Sequence, residues 1–361
     1  MKDATKSSAE AGASDSQAAI LKPPSWSKHP PFNWLYLHRE KIWWLHSFYA
    51  LILGIGIMWL GTRNFAYLRV TVFYVGFIWV SSLLLPNLAE YPRLSTAWAR
   101  RIRLVVNYFN KNFYQQMLFF VLPVYYGSAT LWSRNILFVL LVGLSATLSS
   151  LDIVYDRHLS VRRSLTAVFF AFNLFALINV MLPVLWSISN TWAMRVSAVL
   201  ALLGFLTLYY PPSQWRAPGN LALLFLIASM LLILVELGRS FIPPAPLRLA
   251  KVQFGREVER ESRQIKSPLT KGFAERSLQV YGLTAIKAPL GLKERVRHRW
   301  YENDKLVCES PLYSVVGGRE EGFRLWTRCT FTGIPPGALL RLDLETKGGQ
   351  LIGRAWLRAG K

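Results

Sequence analysis

The chain has 361 residues, 52% of them hydrophobic, with 14 Trp, 15 Tyr, 21 Phe and a formal charge of +22. A mean hydropathy of +0.26 is high for a soluble protein, and the aromatic content suits apolar spans with interfacial belts. The Lys and Arg residues fall between apolar runs rather than on one basic face, which favours anionic lipid headgroups over nucleic acid as their partner.

Residues 1–21 are rich in Ala, Ser, Lys and acids without periodicity and read as a disordered tail. No cleavable signal peptide is visible, because the first apolar run is too long and starts too far in. Residues 22–41 hold Pro23, Pro24, Pro30 and Pro31 among aromatics and mixed charges, as in a segment lying along headgroups.

From Ile42 the chain becomes a series of apolar runs: about 42–60, 70–85, 113–132, 136–151, 165–186, 196–210 and 221–237. Read as spans, they make residues 42–237 a bundle of seven transmembrane helices. Gly54 and Gly56 would let a neighbouring helix approach closely, and Pro123 would kink the third span. The basic stretch around Arg93, Arg100, Arg101, Arg103 and Lys111 reads as an amphipathic interfacial helix. Lys and Arg flank alternate loops unequally, 13 against 4, which places the N-terminus in the cytoplasm and the C-terminal part outside.

Residues 238–276 read as a polar connector. FIPPAPLRL is expected to be extended, since Pro243 and Pro244 exclude helix. Residues 277–361 alternate in the manner of about six short strands, broken by GGREEG, GIPPG and KGG. Glu302, Asn303 and Asp304 read as a turn, whose Asn and Asp suit a hairpin. The expected fold class is thus an α-helical membrane bundle of about seven helices followed by a small all-β, sandwich-like domain.

The stretches AIKAPLGLKERVRHRWY, GGREEGFRLWT and GQLIGRAWLR resemble a bacterial domain family of unknown function. QQMLFFVLPVYY, SLDIVYDRHL and GRSFIPP resemble an uncharacterised multi-pass membrane family that often precedes it. The resemblance covers most of residues 40–358. It implies a two-part architecture in the bacterial inner membrane with a periplasmic β domain, and no activity. Cys308 and Cys329 depart from that pattern, standing where an acidic and a polar or basic residue are more usual.

Catalytic signatures are absent from the sequence: it holds no GxSxG elbow, no phosphate-binding loop of the Walker type and no HExxH. The five histidines lack metal-ligand spacing, so no cofactor and no metal are expected. GGREEG is a charged tight turn or, alternatively, a partner-binding loop presenting Arg319, Glu320 and Glu321 beside Trp326. Polar candidates within the apolar half are Gln115, Gln116, Asp152, Asp156, Asn173, Asn179 and Glu236. They suit helix-end ion pairs and interhelical hydrogen bonds, or else a polar path for a solute. Cys308 and Cys329 are the only cysteines. In an oxidising periplasm they are expected to bond, the alternative being two buried thiols. The functional expectation is a membrane protein whose β domain binds an envelope protein or glycan. A transporter or channel is the alternative, with a membrane enzyme on lipid or glycan behind it.

Overall fold

The computed structural model describes residues 117–151, 162–209, 218–259, 261–262, 264–269 and 277–359, with isolated positions between 38 and 55. Five helices lie between 117 and 237: α1 (Met117–Ser128), α2 (Ile136–Ser150), α3 (Arg163–Trp186), α4 (Asn190–Tyr209) and α5 (Pro218–Leu237).

The seven-helix membrane bundle is corrected by these elements. Among the described residues one helix, Ser164–Trp186, is long and apolar enough to cross a membrane, and 67% of its apolar window is buried within the protein. One such helix does not support a multi-pass chain. Two of the five are short as described: at about 1.5 Å per residue, the described part of α1 reaches about 18 Å and α2 about 22 Å, against a hydrocarbon core about 30 Å thick. Residues 129–135 form the turns between them, of which 129–132 count as apolar span in the sequence. The spans expected at 42–60 and 70–85 lie outside the described residues, apart from helical positions between Lys41 and Ile55.

The helices pack through Leu118, Val121, Val142, Ala146, Ala176, Val180 and Met194, all buried. The hydroxyl of Tyr125 donates to the Ala176 carbonyl at 2.8 Å and accepts from Asn179 Nδ2 at 3.1 Å, tying α1 to α3. The opposite faces stay apolar and open. Leu137, Leu140, Leu141 and Leu144 on α2, and Leu226, Met230, Ile233, Leu234 and Leu237 on α5, recur at helical spacing and are exposed.

The C-terminal part is a β domain of two facing sheets. The first contains β1 (Arg248–Gly255), β4 (Ser277–Lys287) and β8 (Phe323–Thr332), in the order β1-β4-β8. The second has the order β10-β9-β5-β6, from β10 (Leu351–Arg358), β9 (Leu339–Thr346), β5 (Arg295–Glu302) and β6 (Lys305–Glu309). β7 (Tyr313–Ser314) also pairs with β5, and a small ribbon joins β2 (Val258–Glu259) to β3 (Gln264–Ile265). All pairings are antiparallel. Asn303 and Asp304 both take positive φ, 45° and 68°, in the two-residue turn from β5 to β6. This is the backbone such hairpins need.

Strand alternation builds the core. On β5, Val296, His298 and Trp300 point inward, while Arg297 and Arg299 point outward. One apolar cluster gathers Val280, Trp300, Phe331, Leu340 and Leu342; a second gathers Ile286, Val296, Leu325, Leu344 and Ile352. Gly282 makes room for the largest of these side chains, because a Cβ there would stand 2.7 Å from both the Trp300 ring and Leu342.

The stretch expected as a connector is partly built into the fold. Residues 242–247 are buried throughout, and 248–255 form β1. Side chains from each half bond to backbone of the other. Asn135 Nδ2 donates to the Leu351 carbonyl at 3.0 Å, Arg239 to Gly348 at 2.9 Å, and Gln350 to Ile242 at 3.0 Å. Glu294 caps the start of α4, accepting from the Asn190 N–H at 2.8 Å.

Candidate functional site

β8 is the last strand of its sheet, and β6 and β7 border the other sheet. Their edges face each other across a slot of about 520 Å³. A disulfide between Cys308 on β6 and Cys329 on β8 joins the two sheets, with Cα atoms 6.0 Å apart. It pins the sheet edges together at β6. Trp300 reaches the slot from the core. Arg324, Trp326, Thr327 and Arg328 line one wall, and Glu309, Pro311 and Tyr313 the other.

Alternation along β8 explains the wall. Leu325, Thr327, Cys329 and Phe331 turn inward and are buried, while Arg324, Trp326 and Arg328 turn outward. Trp326 is half-buried and tilted against Tyr281, with ring centroids 6.1 Å apart. Arg324 pairs with Glu321 and donates to the Ser262 carbonyl at 3.0 Å, which holds it along the strand. Arg328 is exposed. Beyond the other wall, Val307, Leu312, Tyr313 and Val316 are exposed apolar side chains along the β6–β7 edge. An open strand edge offers backbone donors and acceptors to a further strand, and the arginines favour a negatively charged one.

Behind the slot lies a polar layer between the two apolar clusters. Fully buried His298 bonds to the Thr284 hydroxyl through Nε2 at 2.9 Å and to the Thr327 hydroxyl through Nδ1 at 2.8 Å. The Trp300 indole N–H donates to Thr327 at 3.1 Å, and Thr284 donates to the Leu325 carbonyl at 3.4 Å. These partners assign the proton. Thr284 gives its one hydrogen to Leu325 and so accepts from Nε2–H, which leaves Nδ1 to accept from the Thr327 hydroxyl. Every member is satisfied by a neutral ring. Burial pushes the His298 pKa down to about 3.

The outer face of the second sheet is an ion-pair lattice. Arg354 grips Asp343 with two bonds of 2.6 and 2.8 Å, and Arg297 and Arg299 bridge Glu309 and Glu345. Burial raises the pKa of Glu345, while Arg299 beside it opposes the rise. Three arginines against three carboxylates leave this lattice neutralised.

Of the residues singled out in the sequence, Trp326 lines the slot, and Glu321 reaches it through Arg324. Arg319 and Glu320 are exposed in the preceding turn. Trp300 is core, at 1% exposure, whereas Trp356 lies on the outer face at 42%. Glu236 forms ion pairs with Arg195 and Arg239. Asn179 bonds to Tyr125, while the buried side chain of Asn173 has no hydrogen-bond partner among the described residues. Gln115, Gln116, Asp152 and Asp156 lie outside the described residues. Among the described residues no three His, Cys, Asp or Glu side chains are grouped as metal ligands. The His298 layer and the Glu294 cap were missed in the sequence. The inward turn of every second residue in RVRHRWY was the available signal for the histidine. Nothing local marks Glu294, whose partner is 104 residues away.

Residues 27–285 match the model of a family of unknown function, DUF5924, and the chain belongs to that family. Residues 293–356 match the model of a second, DUF2914, likewise described as a protein of unknown function. No curated protein matches the chain.

Proposed function

We propose that this DUF5924 member is a binding protein anchored through its helical half to a bacterial inner membrane. Its sandwich, on the periplasmic side, holds an extended acidic segment of an envelope protein along β8. The observation that carries this is the slot: an open strand edge flanked by Trp326, Arg324 and Arg328 and faced by Tyr313. Such a slot suits strand addition, in which main-chain bonds supply affinity and alternate side chains supply specificity. The exposed leucine faces of α2 and α5 support placement among lipid chains, where apolar surface costs nothing. The Cys308–Cys329 bond supports an oxidising compartment for the β domain.

A displayed peptide library selected on the full-length chain in detergent tests the reading. Selected peptides should be extended and rich in Asp or Glu. Trp326→Ala should weaken them about tenfold, and Arg328→Glu should reverse the charge preference. Peptides that bind the parent chain and both variants equally would sink the proposal. Competition by soluble glycan fragments, without any peptide binding, would give the slot to a glycan instead.

A further inference from the structure

A second opening, of about 670 Å³, lies where the two halves meet. The first turn of α4, the turn after α5 and two loops of the β domain surround it. Five cationic side chains line it: Arg195, Arg239, Lys293, Arg295 and Lys347. Among the described residues two carboxylates answer them. Glu236 is taken by Arg195 and Arg239. Glu294 is turned to backbone, accepting from the N–H groups of Asn190 at 2.8 Å and Arg295 at 3.0 Å. Lys293, Arg295 and Lys347 are exposed at the rim, and none of them forms an ion pair among the described residues. Arg239 Nε is buried with no hydrogen-bond partner among the described residues. Ser189, Thr191 and Ser314 add hydroxyls to the lining. The cavity therefore has donors and positive charge beyond what its own acids satisfy.

Its surroundings narrow the ligand. Trp192, in its lining, and Trp186, three residues before Ser189 in the chain, are exposed at 59% and 62%, as tryptophans are at the headgroup level of a bilayer. The Arg195 guanidinium lies 5.4 Å from the Trp192 ring. On α5, whose last turn brings Glu236 to Arg195 and Arg239, Leu234 and Leu237 are exposed. Gly348 keeps the opening tight: a Cβ there would stand 2.8 Å from Thr191 Oγ1 and 3.2 Å from Arg239.

We propose that this junction cavity binds a phosphate group, supplied by the headgroup of an anionic phospholipid. The inference rests on the membrane-anchored part of the proposed function and not on the β8 slot. The phosphate would meet Lys293, Arg295 and Lys347 at the rim and Arg239 further in, while an acyl chain would follow Leu234 and Leu237.

The test uses the full-length chain in detergent, with native mass spectrometry reading retention of short-chain phosphatidylglycerol, phosphatidylcholine, glycerol 3-phosphate and inorganic phosphate. The parent chain should retain phosphatidylglycerol over phosphatidylcholine. The variant Lys293→Gln/Arg295→Gln/Lys347→Gln should lose about a hundredfold in that affinity, each rim cation being worth about fivefold. Lys293→Arg/Lys347→Arg should restore binding, separating charge from shape. Retention of the lipid but not glycerol 3-phosphate assigns the site to a lipid; retention of glycerol 3-phosphate or inorganic phosphate as well assigns recognition to the phosphate itself. Equal retention by the parent and triple variant, or no preference for phosphatidylglycerol, overturns the proposal. Trp326→Ala should leave lipid retention unchanged, so failure here and failure of the peptide slot are told apart.

Discussion

His298 shows what one buried side chain imposes on the β domain. Burial keeps its ring neutral, and both ring nitrogens are bonded to threonine hydroxyls. Its folded pKa, about 3, lies below the ordinary 6.5. Protonation therefore favours the unfolded chain: the stabilisation is complete above pH 6.5 and is lost as the pH falls from there toward 3. The slope is about 1.4 kcal/mol per pH unit for one proton. Melting of the β domain across this range should show that fall, and His298→Gln should flatten it. The same variant should cost about 1–3 kcal/mol at neutral pH, because it disturbs a satisfied buried network. A parent and variant with parallel pH profiles would remove His298 from this role.

At the scale of elements, β8 carries the most. It bonds to β4 on one side, lines the slot on the other, and is tied to β6 by Cys308–Cys329. The bond closes a loop with a sequence separation of 21. A loop of that size should stabilise the domain by about 3 kcal/mol through the unfolded chain. Dithiothreitol should lower the melting temperature of the parent and leave Cys308→Ser/Cys329→Ser unaffected. Reduction should also weaken peptides selected on the slot, because the two sheet edges would no longer be joined. If reduction moves neither stability nor peptide affinity, the bond has no part in shaping the slot.

For the whole molecule, the border between the two families does not coincide with a border in the fold. The first match ends at 285 and the second begins at 293, yet β1 and all but the last two residues of β4 come from the first and form one sheet with β8 from the second. A fragment beginning at residue 290 would lack both strands and leave Phe331, Leu340, Leu342 and Trp300 without their covering sheet. It should show no cooperative melt, whereas a fragment from residue 242 should melt cooperatively and give dispersed amide signals. Cooperative folding of the shorter piece would mean that β8 does not need β4.

The sequence alone determined what depends on neighbours along the chain. Strand alternation in RVRHRWY and FRLWTRCTF placed the β domain, and Asn303–Asp304 announced the hairpin turn, because side-chain period and positive φ are local properties. Apolar runs located the helices of the N-terminal half but not their number or whether each spans a membrane. A run of hydrophobic residues reads the same in a core helix, a short helix with its turn, or a span. Only the tertiary structure decided that 248–255 joins the sandwich, that Glu294 caps a helix 104 residues before it, and that Arg195, Lys293, Arg295 and Lys347 line one cavity. Each of these depends on packing between segments distant in sequence, and on burial that changes what a carboxylate, an imidazole or an arginine can bind.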